Sequence, residues 1–491
     1  FHCCHLFIPP TLFSISSYSH FPVLSSLSHA TYWSPFLNIF ALVRSNAVAH
    51  RRIVSKSPAV ANSDSMQSVN SMPTSGQLDR VFPGLKSGST IAVGILAAHY
   101  KKLRGPLTET QVHALILPHI KEDDGALQKH EVAAAWADLG ITELAREEEQ
   151  KISRNKLPAH LLLGLSIEGI EELIDALPED AVQQCNDGIP PDSDYPQNKD
   201  LNGYVNQFHI AKASEDDKQA TCERLKKAGS PHVGEATVFV SWFLQTSLIT
   251  LLDALREFLK KKQLPEETKF WVCDFVIRQA GQRRDVKKLG DCVRAMGHTV
   301  LLLEPWHDPQ PLRRAYCIKE VYNTQAGWAQ FDVVMSSAQQ AAFERALTKD
   351  EDGFDSVVKA MSNVDVRGAE CLKKEDKDAI LKELEQVVGF EECNRLVSGL
   401  LQEALIFQAR EALERMPGNE RKTSPLQNNM AILLMDMGQL QEARPLLEER
   451  LRLRRETLGG HHPGTLISID NMATLLMDMG ELQEASLLLE E

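Results

Sequence analysis

HTVLLLEPWHDPQPLRRAYCIKEVY, residues 298–322, decides how the rest of the chain is read. Its opening run, Thr299 to Leu303, is β-branched and aliphatic and too short for an ordinary helix. Bounded by Gly297 and Pro305, it predicts a strand buried on both faces, the kind found in parallel sheets. Pro305, Pro309 and Pro311 then interrupt regular structure and put Trp306, His307 and Asp308 on a loop. After Pro311 the spacing turns helical, with Leu312, Tyr316 and Val321 toward one side. Open α/β folds hold ligands on loops that leave the carboxyl ends of their strands. Glu320 is the one carboxylate in the helix that follows. Two readings of it stand side by side: a group that does chemistry, or a solvent-facing residue paired with Arg313, Arg314 or Lys319.

Working outward, the same alternation continues on both sides. TVFVSW (237–242) and KFWVCDF (269–275) read as strands, and each precedes a helical stretch, TSLITLLDALREFLKK and KKLGDCVRAMG. Downstream, FDVVMS (331–336) is followed by the helix AQQAAFERAL. Strand and helix alternating over short connections predict a parallel sheet covered on both faces, here over residues 230–350. Residues 81–207 read as a helical N-terminal region, with amphipathic pieces such as SIEGIEELIDAL. Thr108 and Gln111 have the spacing of a capping box. Residues 120–131, IKEDDGALQKHE, partly match a calcium loop, with Glu122, Asp124, Gly125, Leu127 and Glu131 at the expected offsets. Ile120 stands where the first ligand oxygen belongs, so an acidic turn between helices is the favoured reading. Residues 186–200 have the composition of a linker.

After residue 350 the chain reads as helix, first a connector over 351–399 and then an internal repeat over 400–491. LQEA recurs at 401–404, 440–443 and 482–485, and NNMAILLMDMGQLQEA returns 42 residues later as DNMATLLMDMGELQEA. Ala431, Gly438 and Ala443 allow two antiparallel helices to approach, while Leu434, Leu440 and Leu447 fill the seam. His461, His462 and Pro463 punctuate the link and read as a turn rather than a metal pair, since adjacent side chains converge poorly. Arg450, Arg452, Arg454 and Arg455 read either as a site for an acidic partner or as a solvated helix face. The last helix is expected to continue into further repeats.

Bulk properties narrow the classes. The 491 residues suffice for two or three domains, and 43% hydrophobic with 24% charged residues is ordinary globular composition. A net charge of −14 argues against a general nucleic-acid binder. Nine scattered cysteines without a CxxC pair give neither a zinc site nor a disulfide framework and suit a reducing, cytoplasmic setting. No apolar run reaches bilayer length. Residues 1–63 lack Asp and Glu and are rich in Ser, and the first methionine is Met66, within a leader of 1–80 expected to be disordered. The alternatives are sequence read upstream of the true start or an organelle-targeting segment.

Two resemblances follow. RRETLGGHHPGTLISIDNMATLLMDMGELQEA looks like the tetratricopeptide repeats of kinesin light chains. That likeness implies a concave groove for peptides or partner domains, with Asn429, Leu434, Asn471 and Leu476 as its contacts. No heptad coiled coil precedes the repeats, which a true motor subunit carries; a cargo-adaptor role predicts co-purification with a motor heavy chain. HVGEATVFVS, KFWVCDF, HTVLLLEPW and PLRRAYCIKEVY resemble Toll/interleukin-receptor-like domains of algal and protist type. In that superfamily a helix motif S-x-W-C-x-x-E supplies the glutamate of NAD-cleaving members; here Ala315 lies near its start, Tyr316 stands for Trp, Cys317 for Cys and Glu320 for Glu. A carboxylate there would stabilise the oxocarbenium-like state formed as the nicotinamide–ribose bond breaks. Trp306, Tyr316 and Trp328 are candidates to stack on the nucleotide or, alternatively, to pack a helix on the sheet. The chain departs from the pattern at Trp242, where relatives carry His, and at Cys273 and Arg278. The expected architecture is thus α/β plus all-α: a helical N-terminal region, a flavodoxin-like parallel-sheet domain and a tetratricopeptide solenoid. The expected function is a non-enzymatic scaffold without cofactor or metal. It binds proteins through the solenoid, with the α/β domain docking or self-associating. The alternative is an NAD-hydrolysing signalling enzyme with NAD as substrate.

Overall fold

The computed structural model describes residues 73, 77–78, 81–82, 90–120, 126–190, 197–279, 282–348, 353–362 and 364–490. Of the leader over 1–80, residues 73 and 77–78 are described, with Leu78 buried in the N-terminal core; the rest of it and residues 121–125 of the calcium-like loop lie outside them.

At the centre is a six-stranded mixed sheet in the order β4-β3-β6-β5-β7-β8. Its strands are β3 (Leu163–Leu165), β4 (Val233–Glu235), β5 (Val238–Ser241), β6 (Phe270–Trp271), β7 (His298–Leu302) and β8 (Gln330–Val334). β5, β6, β7 and β8 run parallel, as the strand–helix alternation predicts. β3 and β4 form an antiparallel margin against β6. β3 comes from the stretch expected to be helical, so the sheet reaches back across the division drawn at residues 207–230. β6 keeps two residues because the chain turns into helix Cys273–Val276 where a longer strand was expected.

β7, one strand in from the β8 edge, has both of its faces filled. Leu301 and Val333 of β8 face one core, which holds Leu312, Ala315, Ile318 and Val321. Val300, Leu302 and Val334 face the other, with Leu251, Leu255 and Val293. This period of two explains why the strand reads as one continuous apolar run. Gly297, at φ +70°, ends helix Leu289–Met296 in the left-handed region, and any Cβ there would strike Gln150. Gln150 itself donates from Nε2 to the Met296 carbonyl at 3.0 Å, tying the N-terminal region to the sheet.

That region is built from helices Val93–Lys102, Glu109–Ile116, Lys129–Asp138 and Ile141–Lys156, with a two-stranded ribbon of β1 (Thr90–Ala92) and β2 (Ala126–Gln128). The Thr108–Gln111 capping box forms, with the Thr108 N–H donating to Gln111 Oε1 at 2.9 Å. Glu131, which closes the calcium-like motif, accepts the Gln128 N–H at 2.8 Å and serves as a helix cap. Trp136 stacks on Trp328 with centroids 5.2 Å apart, and Arg146 Nε donates to the Trp328 carbonyl at 2.8 Å. Trp328 is therefore a packing residue between this region and the sheet, not a nucleotide platform.

Beyond the sheet the 26-residue helix Phe390–Arg415 packs against Ala315–Ala326, β8 and the first repeat helix. Lys261 donates to Gln408 Oε1 at 3.0 Å, and Arg415 pairs with Glu344 at 2.6 Å, so polar contacts fasten it along its length. Helices Leu426–Asp436, Leu440–Leu458, Pro463–Asp478 and Leu482–Glu490 follow, each packed on the next. Ala431, Leu434, Ala443, Leu447, Ala473, Leu476 and Ala485 lie in one seam, continuous with the core under β7. Gly438 and Gly480, at φ +73° and +80°, end the first helix of each unit in the same way. LQEA opens a helix at Leu440 and at Leu482, yet at Leu401 it lies inside the Phe390–Arg415 helix. The earliest copy is thus not a repeat boundary.

Candidate functional site

The parallel strands end at a cleft of about 1110 Å³. Ser241 closes β5, Cys273 follows β6, and helix Ala315–Ala326 crosses behind them with Glu320 aimed at the strand ends. Glu320 and Ser241 are buried, 8% and 1% exposed, and the Ser241 hydroxyl donates to Glu320 Oε2 at 2.5 Å. Burial pushes the Glu320 carboxyl up to about 8, against the opposing pull of the Ser241 hydrogen bond and the Lys319 charge. Burial thus favours the protonated form of Glu320. The solvent-facing reading fails: Arg313 pairs with Asp308, Arg314 with Glu370 and Lys319 with Glu383, none of them with Glu320. Helical spacing told that a carboxylate sat after Pro311, but not which face of the helix the sheet would cover.

Tyr316 lines the same cleft, with burial and the neighbouring Asp376 holding its phenol above the ordinary value. Trp306 does not line it; its ring meets Phe343 edge-on at 5.9 Å, so it packs a helix on the sheet. Cys317 is 4% exposed, its thiol raised by burial and then by the Glu320 carboxylate, and Sγ reaches the Trp242 carbonyl at 3.5 Å. It is a small buried residue rather than a nucleophile. The opposite wall comes from helix Gly203–Ala213, which Asp274 anchors by accepting from Gln207 Nε2 at 2.5 Å and Asn206 Nδ2 at 3.3 Å. Burial raises Asp274 to about 6, with the Gln207 and Asn206 bonds opposing. Ser241 and Asp274 escaped the sequence reading, because their partners lie 79, 68 and 67 residues away. The third wall is residues 370–373 and helix Lys374–Val387, held down by the Lys319–Glu383 pair at 2.7 Å. No group of three or more His, Cys, Asp or Glu among the described residues is placed to hold a metal ion.

The second candidate is the repeat segment. Asn429 and Asn471 are half-buried on helices Leu426–Asp436 and Pro463–Asp478, and Asn471 Nδ2 donates to Asn428 Oδ1 at 2.8 Å. Leu434 and Leu476, expected in the groove, are instead 0% and 3% exposed within the seam, closed to any partner. Exposed on the same two helices are Ile432, Asp436, Ile467, Asp470, Thr474 and Met477. His462 caps its helix through Nδ1, accepting the Gly464 N–H at 3.0 Å, as a turn requires. The arginine run is largely occupied: Arg450 is buried, Arg452 pairs with Glu449 and Glu456, and Arg454 donates to Gly464 O and Ser468 Oγ.

No helix among the described residues is long and apolar enough to cross a membrane. Comparison with curated proteins and with solved structures returns no match. Residues 423–491, the segment of paired helices with the shared seam, match the tetratricopeptide repeat family, a module for protein–protein interaction.

Proposed function

We propose that this protein is an interaction scaffold whose C-terminal repeats bind a segment of another polypeptide, while the sheet-bearing half presents them and docks or self-associates. The observation that carries the reading is the stacked pair of repeats over one apolar seam, with an outward row on the first helix of each unit. A photo-reactive residue introduced at Thr474, on that row, is expected to cross-link a partner in cell extract. The same group at Glu456, on the outer helix, should not. Equal yields at the two positions, or none at Thr474, would remove the proposal.

A second reading is favoured by one feature: a buried carboxyl, Glu320, on the floor of a cleft of about 1110 Å³ at the carboxyl ends of parallel strands. In this reading the cleft takes NAD, and the domain resembles the Toll/interleukin-receptor-like enzymes. The nicotinamide ring of NAD is cationic, so its arrival favours loss of the Glu320 proton to solvent; the carboxylate then stabilises the positive ribose as neutral nicotinamide leaves, and water adds to the ribose carbon with release of a proton. The full chain mixed with NAD should release free nicotinamide, and Glu320→Gln should abolish the release. An inert native protein returns Glu320 to a structural role.

A further inference from the structure

We infer that the outward face of the two repeats takes a basic segment of its partner, one in which Lys or Arg side chains are interspersed with aliphatic ones. This rests on the reading that the repeats bind polypeptide, and adds the chemistry of what they bind.

The face is a single surface. Helices Leu426–Asp436 and Pro463–Asp478 lie side by side, joined by the Asn471–Asn428 hydrogen bond. At about 100° per residue, Ile467, Asp470, Thr474, Met477 and Asp478 fall within an arc of roughly 100°. All five are exposed, while Ile469, Met472, Ala473 and Leu476 on the far side are buried. One repeat earlier, Asn428, Ile432, Met435 and Asp436 occupy the equivalent positions. Ile432, Ile467 and Met477 are 39%, 54% and 46% exposed, so an aliphatic row lies open to solvent.

Charge selects the occupant. Neither of these helices contains a Lys or Arg, yet they carry Asp436, Asp470 and Asp478. On the outer helix Leu440–Leu458 every glutamate has an arginine: Glu442 with Arg410, Glu448 with Arg444, Glu449 and Glu456 with Arg452. Glu481 and Glu484 at the next turn pair with Arg444. Asp436, Asp470 and Asp478 have no ion pair or side-chain hydrogen bond among the described residues. The outer helix Leu440–Leu458 thus neutralises its acids, while the two inner helices leave three unneutralised beside the open aliphatic row. A partner with cations spaced between aliphatic side chains meets both features. An acidic partner or a nucleic-acid backbone is repelled.

The test uses the full chain and two pools of short fluorescein-labelled peptides, followed by anisotropy. One pool is randomised over Lys, Arg, Ile, Leu, Ser and Gly; the other replaces Lys and Arg with Asp and Glu. The basic pool should bind at least about tenfold more tightly, with the margin shrinking as salt is raised. Asp470→Asn with Asp478→Asn should remove the preference, and Asp470→Lys with Asp478→Lys should turn it toward the acidic pool. These positions are exposed, so circular dichroism and thermal midpoint should be unchanged. An equal or tighter acidic pool, or a preference that survives the Asn pair, overturns this inference and leaves polypeptide binding intact. If neither pool binds, the inference and the reading beneath it fall together.

Discussion

Glu320 shows what one buried carboxyl does to a protein's pH response. Its folded value, about 8, stands above the ordinary 4.5. Between those values the folded chain keeps a proton that the unfolded chain releases, so stability is greatest at the acid end and falls as pH rises toward 8. The loss is limited to about 1.4 kcal/mol per pH interval crossed, a few kcal/mol in all. Glu320→Gln keeps a neutral side chain of the same size beside Ser241, and should flatten this slope. We expect the variant to match the native protein near pH 5 and to exceed it in urea midpoint near pH 8. Parallel urea curves at the two pH values check this, and an unchanged slope would show that Glu320 ionises freely in the folded state. Should the cleft cleave NAD, nicotinamide release at NAD levels well below saturation, which reports the free protein, should rise with pH through about 8, since the carboxylate is the form that stabilises the ribose cation. A rate independent of pH across that range would exclude Glu320 as the titrating group.

Among the elements, the repeat helices depend on their glycine ends. Gly438 and Gly480 adopt positive φ with open space around the missing Cβ, so alanine there meets backbone strain and no clash. Gly438→Ala and Gly480→Ala should each cost about 1 kcal/mol, and Leu434→Ala, which empties part of the seam, about 2–5 kcal/mol. Chemical denaturation of the full chain measures both; a smaller loss for Leu434→Ala than for Gly438→Ala would contradict the packing described. The element-scale reading of the sequence was strongest here, because the 42-residue repetition exposes the frame without knowledge of any contact. It was weakest at β3 and β6. A three-residue strand such as Leu163–Leu165 has no periodicity to detect, and it is a strand only because β4 and β6 lie on either side of it.

Over the whole molecule, one apolar core passes from Leu301 and Val333 under the sheet, through Leu400 and Leu405 of the long helix, to Leu434 and Ala485 in the repeats. Elements that share a core open together. Hydrogen exchange of the full chain should therefore give β7 and the Leu426–Asp436 helix the same slowest opening free energy. Leu434→Ala should lower both, whereas protection lost only in the repeats would show two independent cores. The N-terminal region joins by a different contact. Trp136→Ala removes the stack on Trp328 and the bond from Trp136 Nε1 to Thr142 Oγ1 at 3.0 Å, and should destabilise by about 3–5 kcal/mol.

What the sequence alone determined is what depends on near neighbours: the alternation that makes parallel strands, the Thr108–Gln111 cap, the turn at His462, and the paired helices of the repeat. Each is written in spacing over a few residues, or in repetition of the same spacing. The tertiary structure alone decided which side chains those elements bring together. Only packing could bury Glu320 against Ser241, send Trp306 and Trp328 into structural contacts, and close Leu434 and Leu476 inside the seam. Burial and charge pairing are properties of chain segments meeting, and no local spacing carries them.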